Sequence, residues 1–432
     1  MSREMKHSGN KWIGQIPKSW GVERIKTIFR ERTELSEDGS ETLLSVSEYY
    51  GVANRSEKVS DGEFVSRAES LIRYKKCYKG DLVSNIMLAW KGSMGITEYD
   101  GIVSPAYCVY EPSKSVFPRY YHYLFRTSLY TSIFSLYSKG IIDSRLRLYS
   151  PYFFDIKAIV PSYSEQQRIA EFLDRKCAEV DEMIALQEQI IEELKAYKQS
   201  VITEAVTKGL NPAAPMRDSG IEWIGQIPEH WEVKRIRNIG LTQNGISKGG
   251  EYFGEGDPFI SYGDVYKNTE LPQIASGLIQ SSQEEQERFS VCKGDVFFTR
   301  TSETIEEIGF SSTCTKTIEK AVYAGFVIRF RPRCGILYDG YSKYYFRSNI
   351  HRAYFVKEMN IVTRASLSQD LLKSLAVLLP TFEEQQAIAD YLDKKCADID
   401  SLIQTKQSKI DSLKEYKKSI IYEYVTGKKE VE

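Results

Sequence analysis

Two stretches of the chain place apolar residues three and four positions apart over several heptads. Ile169, Leu173, Cys177, Val180, Ile184, Ile191, Leu194 and Val201 form the first stripe. Ile388, Leu392, Cys396, Ile399, Ile403, Ile410, Leu413 and Ile420 form the second. This spacing predicts two long amphipathic helices with a coiled-coil seam. Each starts after a proline, Pro161 or Pro380, and neither run contains Pro or Gly. Ser164 with Gln167 three residues on reads as a capping box; Glu383 stands in place of Ser164 in the second copy and predicts a weaker cap. From Ser164 to Val206 the first helix would span roughly 64 Å. Each stripe must be buried, so the helices are expected to pair with each other, antiparallel if the two halves are related by a pseudo-twofold axis. Pairing with a second chain is the alternative.

Ahead of each helix, over residues 25–160 and 236–379, the pattern changes to short β-rich runs with frequent turns: 42–46, 81–87, 103–110, 259–261, 295–301 and 322–330. Short helices are expected near 120–136 and 341–357. Mixed α/β domains with a curved antiparallel sheet fit this alternation, and the chain as a whole reads as α+β.

The chain also repeats itself. WIGQIPKSWGVERI, from Trp12, returns as WIGQIPEHWEVKRI, from Trp223, 211 residues later. VPSYSEQQRIAEFLDRKCAEVDEMI, from Val160, returns as LPTFEEQQAIADYLDKKCADIDSLI, from Leu379, at an offset of 219. LKAYKQSVITEAVT and LKEYKKSIIYEYVT keep that offset. Smaller anchors recur inside the variable segments: Lys79-Gly80-Asp81 with Lys293-Gly294-Asp295, Phe125-Arg126 with Phe346-Arg347, and Arg145 and Leu148 with Arg364 and Leu367. A shared frame with different contents suits one scaffold reading two different targets; an old duplication without functional asymmetry is the plainer alternative. Four consecutive blocks follow: a domain over 1–160, a helix over 161–210, a domain over 211–379 and a helix over 380–432. The Pro/Gly-rich stretch 207–220 reads as a linker.

With 432 residues the chain exceeds one ordinary core, and 42% hydrophobic residues can fill two. The net charge of −1 hides an uneven distribution: +5 over residues 1–160 and −4 over 161–210. Nucleic-acid binding depends on local basic faces, so the overall balance argues neither way. Seven scattered cysteines without a CxxC pair and four distant histidines predict neither a disulfide framework nor a metal site. No apolar run is long enough to span a bilayer, and the first residues lack a signal-peptide core, so a cytoplasmic protein with no membrane association is expected.

Basic and polar residues gather with aromatics after the strand that follows each Lys-Gly-Asp turn. The first copy offers Asn85, Trp90, Lys91 and Ser93; the second offers Arg300, Thr301 and Ser302. Arg and Lys suit guanine edges and phosphates, and Asn suits adenine. The alternative is a solvated loop beside a core tryptophan. Arg145, Arg147 and Arg364 are expected to hold phosphates. Catalytic and metal residues are expected to be absent. There is no GxxxxGK[ST] loop, and the glycine-rich fragment from Phe253 to Phe259 lacks the second proline of a methyltransferase box. The four scattered histidines give no nucleophilic triad. A coiled-coil adaptor would explain the helices but not two large diversified domains.

The WIGQIPxxW box, the PxxxEQQxIAxxLDxKCAxxD helix start and the LKxYKxSxIxExVT helix end resemble the shared regions of the specificity subunits of type I restriction–modification systems. The segments 80–112 and 259–268 resemble their target-recognition domains. The resemblance covers nearly the whole chain. It implies two target-recognition domains separated by two long helices that pair as an antiparallel coiled coil and set the distance between half-sites. Each domain would read half of a split, asymmetric double-stranded DNA target through the major groove. It implies as partners two methyltransferase (M) subunits and restriction/translocase (R) subunits, which would carry S-adenosylmethionine, ATP and Mg; none is expected on this chain. The repeated Glu165, Gln166, Gln167, Leu173 and Asp174, with Glu384, Gln385, Gln386, Leu392 and Asp393, are then expected to dock partner subunits or to cap the helices.

Overall fold

A computed structural model describes residues 3–54, 70–142, 145–302, 307–351, 354–355 and 365–431. Strands β1 (Gly21–Arg24) and β2 (Phe29–Arg32) follow the first tryptophan box. Then come β3 (Leu82–Asn85), β4 (Met94–Ile96) and β5 (Tyr107–Pro112), helices α1 (Pro118–Leu124) and α2 (Ser128–Tyr137), strand β6 (Lys157–Val160) and the long helix α3 (Tyr163–Lys208). The second half repeats the frame with β7 (Glu232–Arg235), β8 (Gly240–Asn244), β9 (Val296–Thr299), β10 (Ser311–Thr313), β11 (Val327–Pro332), α4 (Asp339–Tyr345), β12 (Ala376–Leu379) and α5 (Phe382–Val425).

The expected antiparallel sheet is present twice in the same order, β2-β5-β3-β4 and β8-β11-β9-β10. In each half the strand after the tryptophan box pairs with the strand that ends at the proline, β1 with β6 and β7 with β12. The central strands β3 and β9 are buried at every position because both faces are covered. Leu82, Cys108 and Tyr110 enter one cluster while Val83 and Val109 enter another. Val296 and Phe298 divide from Phe297 in the same way. This is the two-residue alternation of a strand expressed between two cores.

The expected helix over 120–136 is two helices. Thr127 is extended, and its hydroxyl caps α2 by accepting from Tyr130 N at 3.4 Å. The second helix stops at Tyr345, and position 357 lies outside the described residues. The stretch 207–220 is only partly a linker. α3 runs on to Lys208, and Met216–Asp218 pairs with Gln226–Pro228. Gly209 ends α3 at φ +72°, where a Cβ would lie 3.2 Å from Trp231 Cζ2, so glycine serves both the left-handed turn and the close approach.

The compact units cut across the four consecutive blocks. One comprises Met1–Gln187 with Ser408–Glu432; the other is Glu188–Gln407. The reason lies in the stripes. The first core takes Ile169, Leu173 and Cys177 from the start of α3 and Val425 from the end of α5. The second takes Val201, Ala205 and Val206 from the end of α3 and Ile388, Leu392 and Cys396 from the start of α5. Within the first unit Phe172 packs on Tyr424, ring centroids 4.4 Å apart, and Asp181 binds Lys417, so the helices run antiparallel.

The helix caps differ from the expected ones. The N-terminal residues are Ser162 and Thr381, two positions before Ser164 and Glu383. Ser162 Oγ accepts from Glu165 N at 3.4 Å. Thr381 Oγ1 accepts from Glu384 N at 3.3 Å, and the Glu384 carboxylate accepts from Thr381 N at 3.2 Å. The second cap is therefore a complete capping box and not the weaker of the two.

Candidate nucleic-acid interface

The two clusters singled out in the sequence, after the central strand and before the long helix, meet in each unit. In the first, Leu148 N donates to Ile86 O at 2.9 Å, while Lys139 and Arg147 exchange two backbone bonds of 2.9 Å. In the second, Leu367 N donates to Arg300 O at 2.7 Å, and Thr301–Ser302 pairs antiparallel with Ala365–Ser366. The two joints are equivalent: Leu148 and Leu367 match, and Ile86 and Arg300 each follow directly on the central strand.

Not every predicted DNA residue faces outward there. Asn85 is buried, and its side-chain oxygen accepts from Met87 N at 3.1 Å to shape the turn. Ser93 is fully buried and donates to Val46 O at 3.3 Å. Both hold the loop in place, so their expected base contacts are withdrawn: each side chain is enclosed by its own domain. Trp90 is half-buried against the core and donates from Nε1 to Met87 O at 3.1 Å. It carries the exposed Lys91, whose Nζ lies 5.2 Å from the ring centroid. Arg145 is exposed; Arg147 is half-buried and donates to Leu146 O at 2.8 Å. Arg300 and Thr301 are half-buried, and Thr301 O accepts from Tyr262 Oη at 2.8 Å. Ser302 is described by its backbone only, and Arg364 lies outside the described residues.

The sequence reading missed Lys139, which is exposed with Nζ 4.8 Å above the Tyr152 ring, and the exposed Tyr149, Ile141 and Phe326. The alternation of basic and aromatic residues from Tyr137 to Tyr152 was the available signal.

Other arginines are structural. Asp81 of the first Lys-Gly-Asp turn is buried and accepts two bonds from Arg32, at 2.8 and 3.2 Å. Its counterpart Asp295 accepts two from Arg331, both 2.6 Å. The Asp81 bond raises the Arg32 pKa above its ordinary value, over the opposing effect of burial. Arg126 donates to the carbonyls of Ser47, Glu48, Tyr49, Gly92 and Met94, and Arg347 to those of Val265, Tyr266 and Ser311. Burial lowers the pKa of both.

The repeated helix starts are mostly turned inward. Glu165 binds Arg3 and accepts from Trp20 Nε1 at 2.8 Å; Glu384 binds His230 at 2.9 Å and Trp231 Nε1 at 3.5 Å. The buried Gln166 accepts from Phe117 N at 2.8 Å and donates to Pro161 O at 2.9 Å. Gln385 repeats this with Tyr338 N at 2.8 Å and Pro380 O at 3.1 Å. Leu173 and Leu392 are fully buried. Docking is therefore withdrawn for Glu165, Gln166, Leu173, Gln385 and Leu392, whose side chains tie helix to recognition domain; Glu384 caps its helix and binds His230 but stays partly open. Asp174 binds Arg119 and Tyr123, and Asp393 binds Lys343 and Tyr344, but both remain partly open. Gln167 is half-buried and Gln386 exposed.

The methyltransferase-like fragment is strand: Phe253–Ile260 pairs with Gly277–Ile279, and Asp257 accepts from Ser281 Oγ and Gln286 Nε2 at 2.7 and 2.8 Å. Among the described residues, no group of three His, Cys, Asp or Glu side chains is placed to hold a metal ion, and no helix is long and apolar enough to cross a membrane.

The profile of the type I restriction modification DNA specificity domain matches residues 17–196 and 228–415, one copy per repeat. The chain belongs to this family. The specificity subunit of the type I restriction enzyme EcoKI from Escherichia coli K12 is 25% identical over 409 residues, 90% of this chain and 84% of that protein. That of StySPI from Salmonella potsdam is 22% identical over 406 residues, with the same coverage. Among solved structures, a chain from a study of complex assembly and conformational transition of the type I R-M system superposes with a TM-score of 0.70 at 15% identity, covering 95% of this chain and 98% of that one. The HsdS subunit from Thermoanaerobacter tengcongensis gives 0.57 at 16% identity, covering 98% and 99%. These structural likenesses carry the fold: two mixed α/β domains with two long paired helices, as the repeat predicted.

Proposed function

We propose that this type I specificity subunit reads a split, asymmetric double-stranded DNA target, one half-site per recognition domain, and catalyses nothing itself. The observation that carries this reading is the joint between the central strand and the pre-helix loop. The same leucine-to-strand backbone bond repeats in both units, yet the joint bears different side chains, Trp90, Lys91 and Arg145 in one and Arg300 and Thr301 in the other. Lys91, Lys139, Arg145 and Arg147 supply phosphate contacts, and Arg364 and Ser302 are assigned to the second half-site by their place in the repeat.

Two methyltransferase subunits dock on the open helix faces, around Gln167, Asp174, Gln386 and Asp393, and restriction/translocase subunits join that core. S-adenosylmethionine, ATP and Mg belong to those partners, and the assembly works in the cytoplasm. The test is methylome sequencing of cells expressing this chain with and without its cognate methyltransferase subunit. A split, asymmetric adenine-methylated motif that needs both proteins is expected. Methylation by this chain alone would contradict the non-catalytic role, and a palindromic motif would contradict two unlike half-sites.

A further inference from the structure

We infer that Arg300 reads a guanine, so that the half-site bound by the second recognition domain contains a G·C pair at one fixed position with no counterpart from the equivalent point of the first domain. The inference rests on the DNA-reading function proposed above.

The backbone of Arg300 is held on both sides. Its N–H donates to Phe326 O at 3.0 Å, and its carbonyl accepts from Leu367 N at 2.7 Å. It directly follows β9, whose four residues are all buried, and the next residue is fixed through the Tyr262 hydroxyl on Thr301 O. The root of the side chain is therefore immobilised before DNA arrives, and only side-chain torsions remain to be ordered on binding.

The head group makes no side-chain hydrogen bond among the described residues. Among the described residues no carboxylate forms an ion pair with Arg300. Glu307, seven residues on, accepts from Tyr266 Oη at 2.7 Å. The contrast is with Arg331, clamped by Asp295, and with Arg347, spent on three carbonyls. Arg300 is half-buried, and Phe326, whose carbonyl accepts from its backbone N–H, is 64% exposed, a large apolar surface in the turn that leads into the adjoining strand. A guanidinium fork on a rigid root matches the O6 and N7 acceptors of guanine in the major groove, and a flat apolar neighbour suits the face of a base or a thymine methyl.

At the equivalent point the first domain has Ile86, whose carbonyl accepts from Leu148 N at 2.9 Å and whose side chain packs on its own core. The frame thus offers the same backbone position twice, with a base-reading head group only once. That is a physical source of asymmetry between the half-sites.

The experiment is selection from a pool of randomised duplex DNA by the full chain assembled with its methyltransferase partner, for wild type, Arg300→Ala and Arg300→Lys. With Arg300→Ala, one guanine in one half-motif is expected to become degenerate, its preference falling roughly tenfold or more, while the other half-motif is unchanged. Arg300→Lys keeps the charge without the fork and is expected to retain overall affinity while losing most of that preference. A motif unchanged in Arg300→Ala with uniformly weaker binding would make Arg300 a phosphate contact and overturn the inference alone. A wild-type complex that selects no sequence would overturn the DNA-reading function and this inference with it.

Discussion

Lys417 Nζ lies 2.6 Å from Asp181 Oδ2, and the repeat counterparts of these two residues, Lys198 and Asp400, meet at 2.7 Å with the helices exchanged. In one unit α5 supplies the lysine and α3 the aspartate; in the other the roles reverse. The pair marks the antiparallel register of the helices within each unit. Both carboxylates are more than half exposed, so each pair contributes only about 0.5 kcal/mol. Asp181→Lys is expected to lower the denaturation midpoint by more than Asp181→Ala does, because it sets two lysines together. The double exchange of Asp181→Lys with Lys417→Asp should recover most of the loss. A urea titration of the four proteins measures the coupling, and no recovery in the double variant would mean that the pair does not set register.

Gln166 has a larger effect for a smaller chemical change. Its amide joins Phe117 N in the recognition domain to Pro161 O before α3, with no solvent access. Gln166→Leu leaves a buried N–H and a buried C=O without partners and should cost about 1–3 kcal/mol. The neighbouring Gln167→Ala, which removes only a bond to Glu171 on the same helix, should stay within about 0.5 kcal/mol. Chemical denaturation separates the two, and equal effects would contradict the assignment of Gln166 as the joint.

These neighbours show how far the sequence was legible. The apolar stripes and the proline-ended strands are local patterns, and together with the repeat they carried both helices and the duplicated sheet. The meaning of Glu-Gln-Gln was not local. Glu165 is explained by Trp20 and Gln166 by Phe117, partners 145 and 49 residues away. A surface role and a buried joint look alike until those partners are placed. Asn85 failed for a related reason: the side chain that could read adenine is turned back to bond Met87 N two residues on, a turn that shares its residue preference with base recognition. The compact units were hidden as well, because nothing in one stripe says that its two ends enter different cores.

Arginine roles can be separated by experiment. Arg126 donates to five carbonyls and, among the described residues, forms no ion pair with a carboxylate, so Arg126→Lys keeps the charge but cannot fill the fork. It should destabilise the first unit by about 2 kcal/mol. Arg145 is exposed, so Arg145→Ala should leave stability within about 0.5 kcal/mol. It should weaken binding to all duplexes alike and reduce the slope of log affinity against log salt by about 0.9. Thermal melts and fluorescence anisotropy over a salt series give both numbers. A loss in Arg145→Ala confined to one base position would assign it to base reading instead.

The two sheets differ most in their last strand. The register aligns β10, Ser311, Ser312 and Thr313, with β4, Met94, Gly95 and Ile96: Thr313 pairs with Val296 as Ile96 pairs with Leu82. All three β10 hydroxyls are buried and without a hydrogen-bond partner among the described residues. An unpartnered buried hydroxyl carries a desolvation penalty that an apolar group of the same shape does not. Thr313→Val, nearly equal in volume, should therefore raise the unfolding free energy by about 1 kcal/mol. The reverse change in the first unit, Ile96→Thr, both removes apolar volume and buries a hydroxyl, and should cost about 1–3 kcal/mol. A destabilised Thr313→Val would mean that an ordered water satisfies the hydroxyl, and that the polar strand is held in place by solvent built into the second core.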